Sequence, residues 1–234
     1  MMKKQVSCVF GIVDEVEALY TTVSILEEIQ TFELEILIIV APFATLESRT
    51  MAEKLTEKFI NITIVEQKSQ GIGGAYKDGF ESAHGEIIVM MSSDLETDPY
   101  LVESMVSRLI DENDIDVVAV SRWLNEDSFL GYSRFLKILN FVFQKTTKMV
   151  FGSKLTDFTY AFRAYKKDVL SGMEWTEKTH SFFLESLLRP LKQGARVVEI
   201  SGKWTARQEG VRHISKWAYL DYVSIMFKVG FSRK

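Results

Sequence analysis

Asp94, Glu96 and Asp98 alternate at the end of an apolar run, behind Ser92 and ahead of Pro99. A short strand would deliver these carboxylates to its carboxyl end. Oxygen-only ligands there suit a hard cation such as Mg2+ or Mn2+, which can also bridge a diphosphate. The plainer reading is a solvated acidic turn, with Asp98 capping a helix that opens at Pro99. A second candidate is residues 71–79, Gly-Ile-Gly-Gly-Ala-Tyr-Lys-Asp-Gly. It fails the dinucleotide fingerprint because Tyr76 takes the sixth place, and it lacks the Gly-Lys-Ser/Thr of a P-loop. Gly71 and Gly73 therefore serve either a backbone approach to a nucleotide or a tight turn with close helix packing.

These groups need a scaffold. Apolar runs at residues 6–13, 34–40, 62–65, 86–91 and 115–120 read as buried strands. Between them, 15–29, 46–59, 75–84 and the stretch from Pro99 carry apolar residues at helical spacing. Strand and helix alternate through the first 120 residues. That pattern predicts an α/β fold, a doubly wound, mostly parallel sheet flanked by helices, with ligands at the carboxyl ends of its strands. Those ends hold Asp14 and Glu15, Ala41 and Pro42, residues 67–74 and residues 92–98. The second half is less regular. Residues 129–151 mix aromatics with cations, 160–165 and 195–204 read as strands, and 181–193 and 217–229 as helices. No repeat or Pro/Gly linker divides the chain, so a single domain is expected.

The chain has 234 residues, 47 % of them apolar and 26 % charged, enough for a sizeable core. Lys plus Arg is 28 against 32 for Asp plus Glu, a net charge of −4 that argues against a general nucleic-acid binder. Any phosphate must then be met by a few placed arginines. Cys8 is the one cysteine, so no disulfide forms within the chain and a thiolate metal cage is excluded. His84, His180 and His213 lie too far apart in sequence for a His-rich zinc motif. The longest apolar stretch, 36–44, is about half a membrane span. Asp14 and Glu15 interrupt the leader-like start. A cytoplasmic, reducing environment is expected.

Several segments, taken in order, resemble family 2 glycosyltransferases of the GT-A fold, above all the polyprenyl- and dolichol-phosphate mannosyl- and glucosyltransferases. They are residues 71–75 with Gly79 and Phe80, residues 91–99, Ser121-Arg122-Trp123, Arg134, residues 157–165 (Asp-Phe-Thr-Tyr-Ala-Phe-Arg-Ala-Tyr), and Arg207 with Gly210. The resemblance runs over residues 6–216. It implies a nucleotide diphosphate-sugar donor, with Mg2+ or Mn2+ at Asp94, Glu96 and Ser92, and Arg207 closing over the diphosphate. Asp14 and Glu15 would lie near the nucleotide, and Gly71 and Gly73 beside it. Arg122, Arg134 and Arg163 would meet substrate, the first two at the phosphate of a polyprenyl phosphate acceptor. An ionised phosphate needs no base; a glycan hydroxyl would, and Asp157 is then the candidate.

Two departures from the family pattern matter. Ala41 and Pro42 stand where the family ends its second strand with aspartates, and Ser92 where its metal motif begins with one. Glu96 stands where the lipid-phosphate enzymes commonly have Gln, which preserves the formal charge of the three places. A catalytically silent nucleotide-sugar-binding relative is the competing reading. The resemblance divides the chain into a nucleotide-sugar half (1–120), an acceptor half (121–213) and an amphipathic C-terminal helix (214–234). On that helix Trp217, Tyr219, Leu220, Tyr222, Val223, Met226 and Phe227 form a broad apolar face flanked by Lys216 and Lys228. Core packing, a homodimer and peripheral contact with the inner face of a membrane are all compatible with it.

Overall fold

The computed structural model describes residues 4–129, 133–207 and 218–232. Gly210, His213, Lys216 and Trp217 lie outside the described residues. The first half runs β1 (Gln5–Ile12), α1 (Glu17–Glu27), β2 (Glu33–Val40), α2 (Leu46–Lys58), β3 (Ile62–Glu66), α3 (Gly71–Ser82), β4 (Ile87–Met90), α4 (Leu101–Asp111) and β5 (Val117–Ser121). The second half adds α5 (Arg134–Phe151), β6 (Arg163–Lys166), α6 (Lys167–Leu170), α7 (Phe182–Gln193), β7 (Val197–Ser201) and α8 (Ala218–Phe231).

Among the described residues the strands form one sheet of seven, in the order β3-β2-β1-β4-β6-β5-β7. All neighbours are parallel except β6, which runs antiparallel to both β4 and β5. Side chains alternate between the faces. Cys8, Phe10, Ile36 and Ile38 pack with Val106 of α4 on one face. Val9, Leu37 and Ile39 pack with Tyr76 of α3 and Phe182 of α7 on the other. Burial on both sides explains why β1 and β2 read as near-continuous apolar runs. Because β6 and β7 complete this sheet, residue 120 falls inside β5, and residues from both halves pack on each of its faces.

Local chemistry sets the element ends. α3 begins at Gly71, ahead of the expected 75, because Asp78 accepts from the Lys68 and Ser69 N–H groups (2.6 and 2.8 Å) and folds the preceding loop onto the first turns. The strand expected from 160 starts at Arg163, since the Tyr160 N–H is held by Asp157 Oδ1 at 3.2 Å rather than by a ladder partner. α5 stops at Gly152, whose φ of 57° provides the left-handed cap. Asp98 accepts from the Tyr100 N–H at 3.1 Å, at the entry to α4. Among the described residues no helix is long and apolar enough to cross a membrane.

Candidate active site

β1 and β4 are parallel neighbours, so their carboxyl ends bring residues 13–15 beside residues 91–98. The junction is tied from three sides. Tyr76 OH donates to the Met91 carbonyl at 2.7 Å, Ser93 Oγ to the Gly11 carbonyl at 3.3 Å, and Thr22 Oγ1 to the Ser93 carbonyl at 3.4 Å. Leu95 then turns with φ 58°, a left-handed conformation that a leucine rarely adopts. The turn lets the Glu96 N–H return to Asp94 Oδ1 at 3.0 Å, an oxygen that also accepts from Ser92 Oγ at 2.6 Å.

The remaining carboxylate oxygens face the segment after β7. Arg207 Nη2 lies 2.6 Å from Asp94 Oδ2, and its Nε lies 3.2 Å from Glu96 Oε1. Trp204 Nε1 donates to Glu96 Oε2 at 3.1 Å. Thr205 Oγ1 and Tyr160 OH fix the backbone beneath, on the carbonyls of Leu95 and Glu96 (both 3.0 Å).

Burial pushes the Asp94 carboxyl up, and the neighbouring Glu96 adds to it; Ser92 and Arg207 pull the other way. Burial likewise raises Glu15, against the Val13 N–H that it accepts at 2.7 Å, with Asp14 and Asp94 adding repulsion. Burial disfavours charge on Arg207, yet Asp94, Glu96 and Glu15 hold it more firmly cationic than usual. The site concentrates negative charge, which the Arg207 guanidinium offsets. Among the described residues no three His, Cys, Asp or Glu side chains cluster as metal ligands. Two carboxylates and a hydroxyl do converge, and a guanidinium stands where their free oxygens meet. That hard-oxygen donor set fits Mg2+ or Mn2+ once Arg207 moves aside.

Of the other predicted site residues, Asp14 is half-buried at the end of β1, next to Glu15, and Arg134 is exposed at the start of α5. Arg122, Asp157 and Arg163 take places other than those the resemblance implies. Arg122 is locked to Asp157 in a two-pronged pair, Nε to Oδ2 at 2.7 Å and Nη2 to Oδ1 at 2.9 Å. Asp157 is fully buried and also accepts from Gln144 Nε2 and from the Arg122, Thr159 and Tyr160 N–H groups. Burial raises its carboxyl, but Arg122 and these donors win and hold it below the ordinary carboxylate value. A carboxylate so saturated is a strut, not a free base. Arg163 is fully buried, its guanidinium on the carbonyls of Phe183 and Phe158 and on Ser186 Oγ. It stitches β6 to α7 instead of meeting substrate.

Gly71 and Gly73 face protein backbone. A Cβ on either would overlap the carbonyl of Lys178 or Glu177, and the Gly73 N–H donates to the Lys178 carbonyl at 3.1 Å. The packing reading of the glycine-rich segment is therefore the one observed. The opposing loop is in turn held by buried Glu185, which accepts from the Thr176 and Glu177 N–H groups. Sequence reasoning missed Trp204, Tyr160 and Glu199. Glu199 accepts from the Thr156 and Asp157 N–H groups at 2.9 and 2.8 Å and so sets the Asp157 turn. An indole three residues before Arg207 was the available signal for Trp204.

The family model described as glycosyl transferase family 2 matches residues 12–173. A glycosyltransferase, AglD, of Haloferax volcanii is 28 % identical over 57 % of the chain and 22 % of its own length. An undecaprenyl-phosphate 4-deoxy-4-formamido-L-arabinose transferase of Proteus mirabilis is 25 % identical over 71 % of the chain and 47 % of its own length. The chain thus spans less than half of either relative. Among solved structures, glucosyl-3-phosphoglycerate synthase of Mycobacterium tuberculosis with Mg2+ and UDP superposes with a TM-score of 0.74, at 13 % identity over 99 % of this chain and 81 % of that one. The same enzyme with Mn2+, UDP and phosphoglyceric acid gives 0.73, at 12 % identity over 99 % and 80 %. At such identities these likenesses speak for the GT-A fold.

Proposed function

The chain belongs to glycosyl transferase family 2, and from that premise we propose that it transfers a sugar from a nucleotide diphosphate-sugar to a polyprenyl phosphate. One observation carries the donor half: Asp94, Glu96 and Arg207 converge at the carboxyl ends of β1 and β4. Asp94 and Glu96, with Ser92 behind them, would hold Mg2+ or Mn2+, which when bound neutralises the diphosphate leaving group. Arg207, displaced from the carboxylates, is within reach to grip phosphate oxygens in pairs. Asp14 and Glu15, at the adjoining carboxyl end of β1, would face the nucleoside. An oxygen of the acceptor phosphate attacks the anomeric carbon while the bond to the donor phosphate breaks. The electron pair leaves with the nucleoside diphosphate.

The acceptor half is supported by the relative from Proteus mirabilis, named for undecaprenyl phosphate, and by the state of Asp157. With that carboxylate buried on Arg122, an acceptor that brings its own negative charge suits the site better than a hydroxyl awaiting a base. Of the two arginines expected at the acceptor phosphate, Arg122 is engaged by Asp157, which leaves exposed Arg134. A polyprenyl phosphate is embedded in a bilayer, so this reading requires the chain to work at a membrane surface; it does not require a homodimer. The test is a panel of nucleotide sugars with Mg2+ or Mn2+, offered with polyprenyl phosphate in detergent and, separately, with glycan acceptors. Transfer to the lipid phosphate, abolished by Asp94→Asn and weakened by Arg134→Ala, is expected. Transfer to a glycan hydroxyl that ignores Arg134→Ala would replace the acceptor assignment. Donor binding without turnover would mark a silent relative.

A further inference from the structure

The acidic turn has a second side. Asp94 and Glu96 face Arg207, whereas Leu95 and Thr97 line a cavity of about 350 Å³ against α1. The segment after β7 divides in the same way. Trp204 and Arg207 reach Glu96, while Lys203 and Thr205 close the cavity. The same two segments thus carry the carboxylate site on one side and the cavity on the other.

The protein leaves polar groups of this cavity unmatched. Thr97 is only 3 % exposed, yet its Oγ1 is buried with no hydrogen-bond partner. Such a hydroxyl costs free energy that a ligand's hydrogen bond recovers. Lys203 and Asp98 also line the cavity, and among the described residues neither makes an ion pair. Asp98 accepts from the Tyr100 N–H, which leaves its carboxylate with further capacity. The Thr21 hydroxyl stands opposite on α1, with Ile25 as an apolar wall. An ammonium, a carboxylate and threonine hydroxyls beside an apolar wall match a phosphorylated sugar. The ammonium takes the phosphate, the carboxylate and hydroxyls take ring hydroxyls, and the wall takes the C–H face of the ring. A zwitterionic amino acid would meet the two charges and leave the hydroxyls idle. We propose that this cavity binds a sugar monophosphate, which ties Thr97 and Asp98 of the turn to Lys203 of the segment after β7. So tied, the segment keeps Arg207 on the carboxylates and opposes a divalent ion there. Binding in the cavity stands apart from the transfer reaction; its effect on the ion rests on the donor site proposed above.

The test is calorimetry of the full chain with glucose 6-phosphate, glucose and inorganic phosphate, each without metal. Saturable binding of glucose 6-phosphate, roughly tenfold or more tighter than either fragment, is expected. Lys203→Ala should lower that affinity by roughly tenfold, the loss of one charged contact. Thr97→Val should lower it by roughly fivefold while the melting temperature holds or rises, because the hydroxyl removed has no partner in the protein. A hydroxyl that served only the fold would do the opposite, lowering the melting temperature and sparing the affinity. Electron paramagnetic resonance should show Mn2+ affinity falling about fivefold at saturating glucose 6-phosphate, in the wild type and not in Lys203→Ala. No binding, or inorganic phosphate bound as tightly as glucose 6-phosphate, overturns the proposal. Binding that survives Lys203→Ala and is lost in Arg207→Gln would put the ligand on the carboxylates and overturn it equally. Mn2+ affinity unmoved by bound glucose 6-phosphate would overturn the link to the ion. Glucose 6-phosphate bound by a chain that takes up no Mn2+ would support the cavity and count against the donor site alone.

Discussion

One guanidinium spans the acidic turn: Arg207 Nη2 lies 2.6 Å from Asp94 Oδ2 while its Nε lies 3.2 Å from Glu96 Oε1. The two carboxylates repel and are largely removed from water, so a cation between them relieves both costs. On the function proposed above, a divalent ion at the same oxygens would displace this guanidinium and free it for a diphosphate, so that metal and arginine would compete for one place.

The first prediction follows from that exclusion. Arg207→Gln should let the donor-free protein bind Mn2+ more tightly, by roughly tenfold, since a competing charge is gone. The same variant should bind a nucleotide diphosphate-sugar more weakly in the presence of Mn2+. Electron paramagnetic resonance of free Mn2+ reads the first effect and calorimetry the second. Equal Mn2+ affinity in both proteins would show that the guanidinium does not compete.

Trp204 carries the second prediction. Its Nε1 donates to Glu96 Oε2 at 3.1 Å while the buried ring packs in the core beside the sheet. Trp204→Phe keeps most of the ring and removes the donor to a charged acceptor, at a cost of about 2 kcal/mol. For a chain of this size that is a fall of roughly 4–8 °C in melting temperature. Mn2+ binding should change as well, because Glu96 loses the contact that aims it. A variant that melts lower with unaltered Mn2+ affinity would limit the indole to packing.

The fold was legible because buried parallel strands leave an uninterrupted apolar signature, as in residues 34–40, and helices between them keep helical spacing. The acidic turn was legible for the same reason: a strand ends and carboxylates follow. What escaped the sequence was pairing across distance. Nothing local tells that Arg122 is claimed by Asp157, 35 residues away, or that Arg163 points into α7. A guanidinium beside aromatics reads identically whether it meets substrate or core. β6 entering antiparallel between β4 and β5 was equally hidden, since four residues of strand carry little periodic signal. The glycine-rich segment read equally as close packing or as a nucleotide contact, because the sequence does not tell that the carbonyls of residues 177 and 178 lie against Gly73 and Gly71.

Gly73 tests that last point. A methyl group there meets the Glu177 carbonyl and the Phe182 side chain. Gly73→Ala should therefore destabilise by roughly 1–3 kcal/mol, the range for overpacking a filled site. Nucleotide-sugar affinity per folded molecule should stay within about twofold, as an indirect effect on binding is small once the fold is intact. Denaturant titration and calorimetry measure the two quantities. Intact stability with collapsed donor affinity would return Gly73 to the nucleotide.

The Asp157–Arg122 pair separates strut from base. Asp157→Asn leaves a buried guanidinium without its counter-charge, a loss of about 3–5 kcal/mol. The pH dependence has a definite sign. The folded carboxyl lies below its ordinary value of 3.8, so the pair's stabilisation is complete above that value and disappears as pH falls through the folded pKa. The melting gap between wild type and Asp157→Asn should be constant near neutrality and close in acid below about pH 4. Turnover per folded molecule should change by no more than a few-fold, whereas loss of a working general base costs roughly 100- to 10,000-fold. Adding Arg122→Met to Asp157→Asn should recover part of the lost stability, because the second change removes the charge that the first stranded. A large drop in turnover at unchanged melting temperature, with no recovery in the double variant, would make Asp157 the base and turn the acceptor back toward a hydroxyl.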